Sequence, residues 1–187
     1  MPNPYVSPLL VDIADGAQIL NTTTETILCP DFTFAAGDSR LYQGAAFRIT
    51  LGFDVSNVVT TPGTVTFAIR WGGVAGTVLA TTQAIQMDTT ARSNYSGRLQ
   101  AELVWRSIGS AGSAFCQGIV FLNNVATAAA AAPQYFTMGS AGANVPAAVG
   151  SLDTTTAKAL SVTADFSVNT ATTQVTNHIR ILEAISS

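Results

Sequence analysis

His178 is the chain's single histidine, so a hydrolase built on this sequence would have to use it as the base of a serine or cysteine nucleophile. No Gly-x-Ser-x-Gly elbow accompanies it. Gly109-Ser110-Ala111-Gly112 has the wrong spacing and reads as a turn. One histidine also excludes metal sites that need two imidazoles. Cys29 and Cys116 lie far apart without knuckle spacing, which excludes a Cys-rich zinc site and a disulfide framework. Cys29 precedes Pro30 and Cys116 lies in an apolar run, so both read as buried, inert thiols. A glycosidase would need two carboxylates facing across a cleft, and the eleven acids are scattered along the chain. No enzyme is expected, and no cofactor or metal.

Gly72-Gly73-Val74-Ala75-Gly76 has the glycines of a phosphate loop but no following Lys-Ser/Thr and no helix after it, so a hairpin turn explains it better. Trp71 and Trp105 are residue types that stack on sugar rings. Each falls in phase with the apolar side of its segment, which favours core packing. Tyr95 and Tyr135 are the aromatics best placed in expected loops to touch a glycan.

The elements that must position these residues are strands. Apolar residues alternate at Phe47, Ile49, Leu51, Phe53 and Val55, again at Val65, Phe67, Ile69 and Trp71, and again at Leu99, Ala101, Leu103 and Trp105. Leu160, Val162, Ala164, Phe166 and Val168 form a fourth set. In the last strand Val175, Ile179 and Ile181 fall on one side, with Thr176, His178 and Arg180 opposite. Phe115 to Leu122 is apolar on both sides, as in a strand covered on both faces. Shorter strands are expected at Gly76 to Thr81, Gln83 to Met87 and around Thr26 to Phe34. Turn clusters at Trp71-Gly72-Gly73, Ser93-Asn94, Ser107 to Ser113 and Asn169 to Thr173 separate them. About eight short strands without an amphipathic helix predict an all-β chain. The expected fold is a two-sheet antiparallel β-sandwich, jelly-roll-like, with an N-terminal arm.

Residues 1–20 form that arm, and residues 21–187 a single sandwich domain. The arm carries Pro2, Pro4 and Pro8, then an apolar patch. It could pack on a neighbouring subunit, with Tyr5, Val6, Leu9, Leu10 and Val11 as anchors. Equally, it could be a first strand of the same sheet. The stretch 123–158 is rich in Ala, Gly and Pro, contains the aromatic pair Tyr135 and Phe136, and reads as a long loop.

Composition narrows the partners. Charged residues are 10% of the 187, against about 25% in an ordinary domain. The net charge is −3 and Lys158 is the single lysine, so nucleic acid is a poor candidate. No apolar run is long enough for a membrane helix, and a proline-interrupted N-terminus without Lys or Arg predicts no signal peptide. An apolar fraction of 48% exceeds what a monomer of this size needs to bury, which predicts an obligate homo-oligomer.

Three segments resemble small β-sandwich proteins encoded in tailed-bacteriophage structural gene clusters. They are Thr24-Glu25-Thr26-Ile27-Leu28 leading through Phe32 and Phe34 to Phe47–Phe53, the run from Thr61-Pro62-Gly63 through Arg70-Trp71-Gly72-Gly73 to Gly76–Ala80, and Leu160–Val168 with the final strand ending at Leu182-Glu183-Ala184. The resemblance implies a virion structural protein, foremost a capsid decoration (cement) protein that binds the major capsid protein as a homotrimer on the capsid surface. The alternative it leaves is a tail or fibre component, or a module that binds a host surface glycan. It carries over no catalytic residue.

Overall fold

A computed structural model describes residues 7–58, 61–123, 133–140 and 145–185. Those residues form strands and turns only. In chain order the strands are β1 (Ser7–Asp12), β2 (Ile19–Leu20), β3 (Thr26–Ile27), β4 (Phe32–Phe34), β5 (Ala46–Asn57), β6 (Thr64–Trp71) and β7 (Thr77–Thr81). There follow β8 (Ile85–Gln86), β9 (Arg92–Ser107), β10 (Gly112–Leu122), β11 (Gln134–Met138), β12 (Ala148–Leu152), β13 (Lys158–Phe166) and β14 (Gln174–Ala184). Two antiparallel sheets result. The eight-stranded one runs β1-β14-β5-β9-β10-β11, with β12 also on β10 and β2 on β14. The six-stranded one runs β3-β13-β6-β7, with β4 on β13 and β8 on β6.

The alternation read from the sequence decides which side chains meet between the sheets. Phe47, Leu51, Phe53, Leu99, Leu103 and Trp105 from the large sheet face Phe67, Ile69, Trp71, Val162 and Phe166 from the small one, all of them buried. Three aromatic pairs bridge the layers: Phe34–Phe47 at 5.3 Å, Phe53–Phe67 at 5.0 Å and Trp71–Trp105 at 4.8 Å between ring centroids. Both tryptophans are therefore core residues, and the Trp71 indole donates to the Asp153 carbonyl at 2.9 Å. Each buried aromatic contributes about 1.5–3 kcal/mol by removal from water.

Two glycines are required by this packing. A Cβ on Gly97 would lie 2.2 Å from the Phe53 ring, so the ring crosses to its β9 neighbour only over a bare backbone. Gly63, at φ 62°, turns the chain into β6 where a side chain would meet Val168 at 2.5 Å. Gly72 and Gly73, both with positive φ, close the β6–β7 hairpin expected there.

Four sequence readings change. Residues 7–12 pair with β14 as the edge strand of the large sheet, the second of the two readings of the arm, because Leu9 and Leu10 find apolar cover on the sandwich itself. Ser93-Asn94 is not a turn between strands but lies inside β9. Asn94 takes φ 56° there, and the β5 pairing shifts register between Val55 and Asn57. The 123–158 stretch contains β11 and β12, two short strands that pair with β10. Its Ala128 to Ala132 run lies outside the described residues.

The fourth change is in β14. Its pairing with β5 shifts register between Asn177 and Ile179, a β-bulge at His178. An extra residue reverses the side-chain phase. Val175 and Asn177 point inward before the bulge and Arg180 and Leu182 after it, so Ile179 is 50% exposed and Arg180 only 6%. The expected in-phase set of Val175, Ile179 and Ile181 is thus broken at its second member.

Candidate functional site: the outer face of the large sheet

Strand alternation sends one set of β9 side chains into the core and the other set, Arg98, Gln100, Glu102, Val104 and Arg106, outward. The same rule on β10 exposes Phe115, Gln117, Ile119 and Phe121, and on β11 Tyr135 and Thr137. Antiparallel register arranges them in rows. Arg98 sits beside Phe121 and Phe121 beside Tyr135; Gln100 is beside Ile119 and Ile119 beside Thr137; Glu102 is beside Gln117; Val104 is beside Phe115. Neighbouring strands are about 4.8 Å apart, and rows two residues apart on a strand are about 6.8 Å apart.

This face is apolar for a surface without cover. Val104 is 37%, Ile119 43% and Tyr135 70% exposed. The Tyr135 and Phe121 rings lie 5.2 Å apart. β10 is apolar on both sides, as read from the sequence, but in this chain only its inner side is covered. Two shallow depressions mark the face, one lined by Arg98, Gln100, Ile119, Phe121 and Tyr135, the other by Val104, Phe115, Gln117 and Ile119 among others.

Its electrostatics stand apart from the rest of the molecule. Of the eight lysines and arginines, six are in ion pairs with carboxylates. Among the described residues the two without one, Arg98 and Arg106, both lie on the outer side of β9. The Arg106 guanidinium rests over the Phe115 ring at 5.0 Å. Glu102 between them is held by Arg48 of β5 at 3.0 Å, which neutralises it.

The anchors read from the sequence fare differently. Tyr5 and Val6 lie outside the described residues. Leu9 and Leu10 pack half-buried on this chain's own core, and Val11 is 51% exposed on the outer side of β1. Tyr95 is not an open platform: Arg92 covers its ring at 5.2 Å and donates to its hydroxyl at 2.8 Å. Tyr135 is open. Ile119 and Phe121 showed in the sequence only as part of the doubly apolar run and Arg98 not at all as a site residue, because register alone gathers them with Tyr135 on one face.

The remaining chemical groups are engaged elsewhere. His178 Nδ1 meets Asp15 and Nε2 meets Asp54, each at 2.8 Å. A histidine serving as general base needs one nitrogen for the nucleophile's proton, and here carboxylates occupy both. The Asp54 and then the Asp15 contact hold its pKa above the ordinary imidazole value. On the small sheet, burial pushes the Glu25 carboxyl up, but the Arg70 guanidinium, at 2.6 and 2.5 Å, and the Thr163 hydroxyl outweigh it and leave the group low. Nearby Asp165 is raised, by burial first and the Glu25 charge second. Burial also pushes both free thiols, Cys29 and Cys116, up to about 12. Among the described residues no group of three or more His, Cys, Asp or Glu could hold a metal ion, and no helix is long and apolar enough to cross a membrane.

No family model matches the chain, and no curated protein matches it. A solved structure that resembles it is the CBM2 module of the evolved Dit of Lactobacillus casei BL23 phage J-1, at TM-score 0.37 and 12% identity over 84% of this chain and 69% of that one. A likeness at that level says nothing about what this chain binds.

Proposed function

We propose that this chain is a non-catalytic structural subunit of a tailed-phage virion that works by attachment through the outer face of its large sheet. The observation that carries the reading is the exposed apolar set of Val104, Ile119 and Tyr135, with half-buried Phe121 beside Tyr135. A stable monomer has no use for such a set, whereas interface cores are enriched in aromatics and Arg and depleted in Lys and Glu. The strand-and-turn resemblance of three segments adds the virion context, with capsid decoration as a homotrimer on the major capsid protein as the foremost role. A decoration protein stabilises a shell because expansion must also break the added contacts, by an amount set by its differential affinity.

Immunogold microscopy on the particle encoded beside this gene tests the reading. Label spread over the head supports decoration. Label at the tail tip transfers the role to host attachment, and an unlabelled particle overturns the virion assignment.

A second reading has its own observation. Tyr135, open to solvent beside Phe121 in a depression that the Gln100 amide also lines, is a flat stacking surface with a hydrogen-bonding group in the same depression, the combination that holds a sugar ring. On this reading the face binds a host surface glycan.

A further inference from the structure

We infer that the glycan taken by this face is an acidic polysaccharide, bound as an extended chain along β9 and β10. The inference rests on the second reading above and names the chemistry of its ligand.

The argument begins from charge. A protein of net charge −3 that pairs six of its cations leaves Arg98 and Arg106 without carboxylates, both on the outer side of one strand. An unpaired guanidinium offers a planar fork of N–H donors that matches a carboxylate or phosphate bidentately. The other charges on this part of the sheet cancel, since Glu102 is held by Arg48. Glu183, on β14, lies on the far side of Arg48.

Geometry then selects a polymer. Arg98 and Arg106 stand eight positions apart on β9, roughly 25 Å along the strand at the ordinary rise, so one sugar ring cannot touch both and a chain can. Each guanidinium stands at an aromatic station. Arg98 neighbours Phe121, which neighbours Tyr135 in turn, and Arg106 lies over Phe115. Between the stations Gln100 and Gln117 present side-chain amides, which both donate and accept, the pairing that hydroxyl groups require. The depressions are shallow and open along the sheet, unlike the concave pockets that enclose small molecules. Because the side chains of β9 and β10 stand on strands paired on both sides, little backbone ordering accompanies binding along them.

Affinity electrophoresis of the full chain tests this, in gels containing polygalacturonate, alginate or poly(glycerol phosphate), with dextran and pullulan as neutral polymers. The first two probes carry carboxylates and the third carries phosphate, so the panel also distinguishes the two anion sources. Retardation by at least one acidic polymer and by neither neutral one is expected, weakening as salt is added. Arg98→Gln, Arg106→Gln and Tyr135→Ala should each reduce the association constant about tenfold, equivalent to about 1.4 kcal/mol. All three positions are on the surface, so circular dichroism and melting temperature should match those of the parent.

Retardation by a neutral polymer that Arg98→Gln leaves unchanged would overturn the acidic ligand and leave the glycan reading standing. Acidic-polymer binding indifferent to both arginine variants would overturn the assigned path along β9. No retardation by any polymer would overturn inference and reading together. Sedimentation that shows self-association lost in Tyr135→Ser would then assign the face to a second copy of the chain.

Discussion

The imidazole of His178 meets a carboxylate at each nitrogen, and a neutral ring has only one N–H to give. Two carboxylate contacts are both satisfied as N–H donations only when the ring is an imidazolium, which is why its pKa lies above the ordinary 6.5. The sign of the linkage follows. A group whose folded pKa is raised contributes stability in full below its unfolded value, and the contribution is lost as pH rises through the folded value. Thermal melts should therefore fall from pH 6.5 upward relative to His178→Gln, whose curve lacks this component. An NMR titration should place the ring above 6.5 and move it down in Asp54→Asn; an unshifted ring would refute the clasp. His178 stood out in the sequence as the single histidine, but its partners did not, because Asp54 reaches it through the pairing of β14 with β5 and Asp15 through the loop after β1, where the Gly16 amide donates to the Asn177 carbonyl.

At the scale of elements, two junctions invite substitution. Gly97→Ala forces a methyl into the Phe53 ring and should cost about 1–3 kcal/mol, the usual range for overpacking. In a Phe53→Leu background the same change should cost less, and a chemical-denaturation cycle reads the difference. Arg180, turned inward by the bulge, is held by Asp12 of β1 at 2.7 Å. Asp12→Ala strands a buried guanidinium and should destabilise by roughly 3 kcal/mol, while Arg180→Met combined with it should recover most of the loss. Equal stability of Asp12→Ala and the parent would show that β1 contributes little to the fold. The sequence reveals the long strands because each buries one face, so alternation reports burial directly. It conceals the bulge because no residue type marks an extra residue in a strand. It conceals β11 and β12 because their order comes from pairing with β10 rather than from a pattern of their own. Of the candidate face, Tyr135 was visible as an aromatic and Phe115 to Leu122 as doubly apolar. That one side of β10 would be left bare follows only from the arrangement of whole sheets.

For the molecule as a whole, the apolar fraction of 48% argues for association. Light scattering at micromolar concentration should give the mass of a homo-oligomer, a trimer on the virion reading; a monodisperse monomer would refute it. Removing residues 1–12 should lower stability before it affects particle binding, since Leu9, Leu10 and Asp12 serve this chain's own sandwich. Unchanged stability with lost binding would restore the arm to a contact role. The placement of the two unpaired guanidinia has a consequence beyond contact. A net-negative body with its uncompensated positive charge on one side has an electric moment, and near an anionic surface it experiences a torque before it touches anything. Such a particle arrives already oriented, with the outer side of β9 leading and its acidic remainder trailing. Raising the salt would slow its productive encounters even where the final complex is held mostly by stacking.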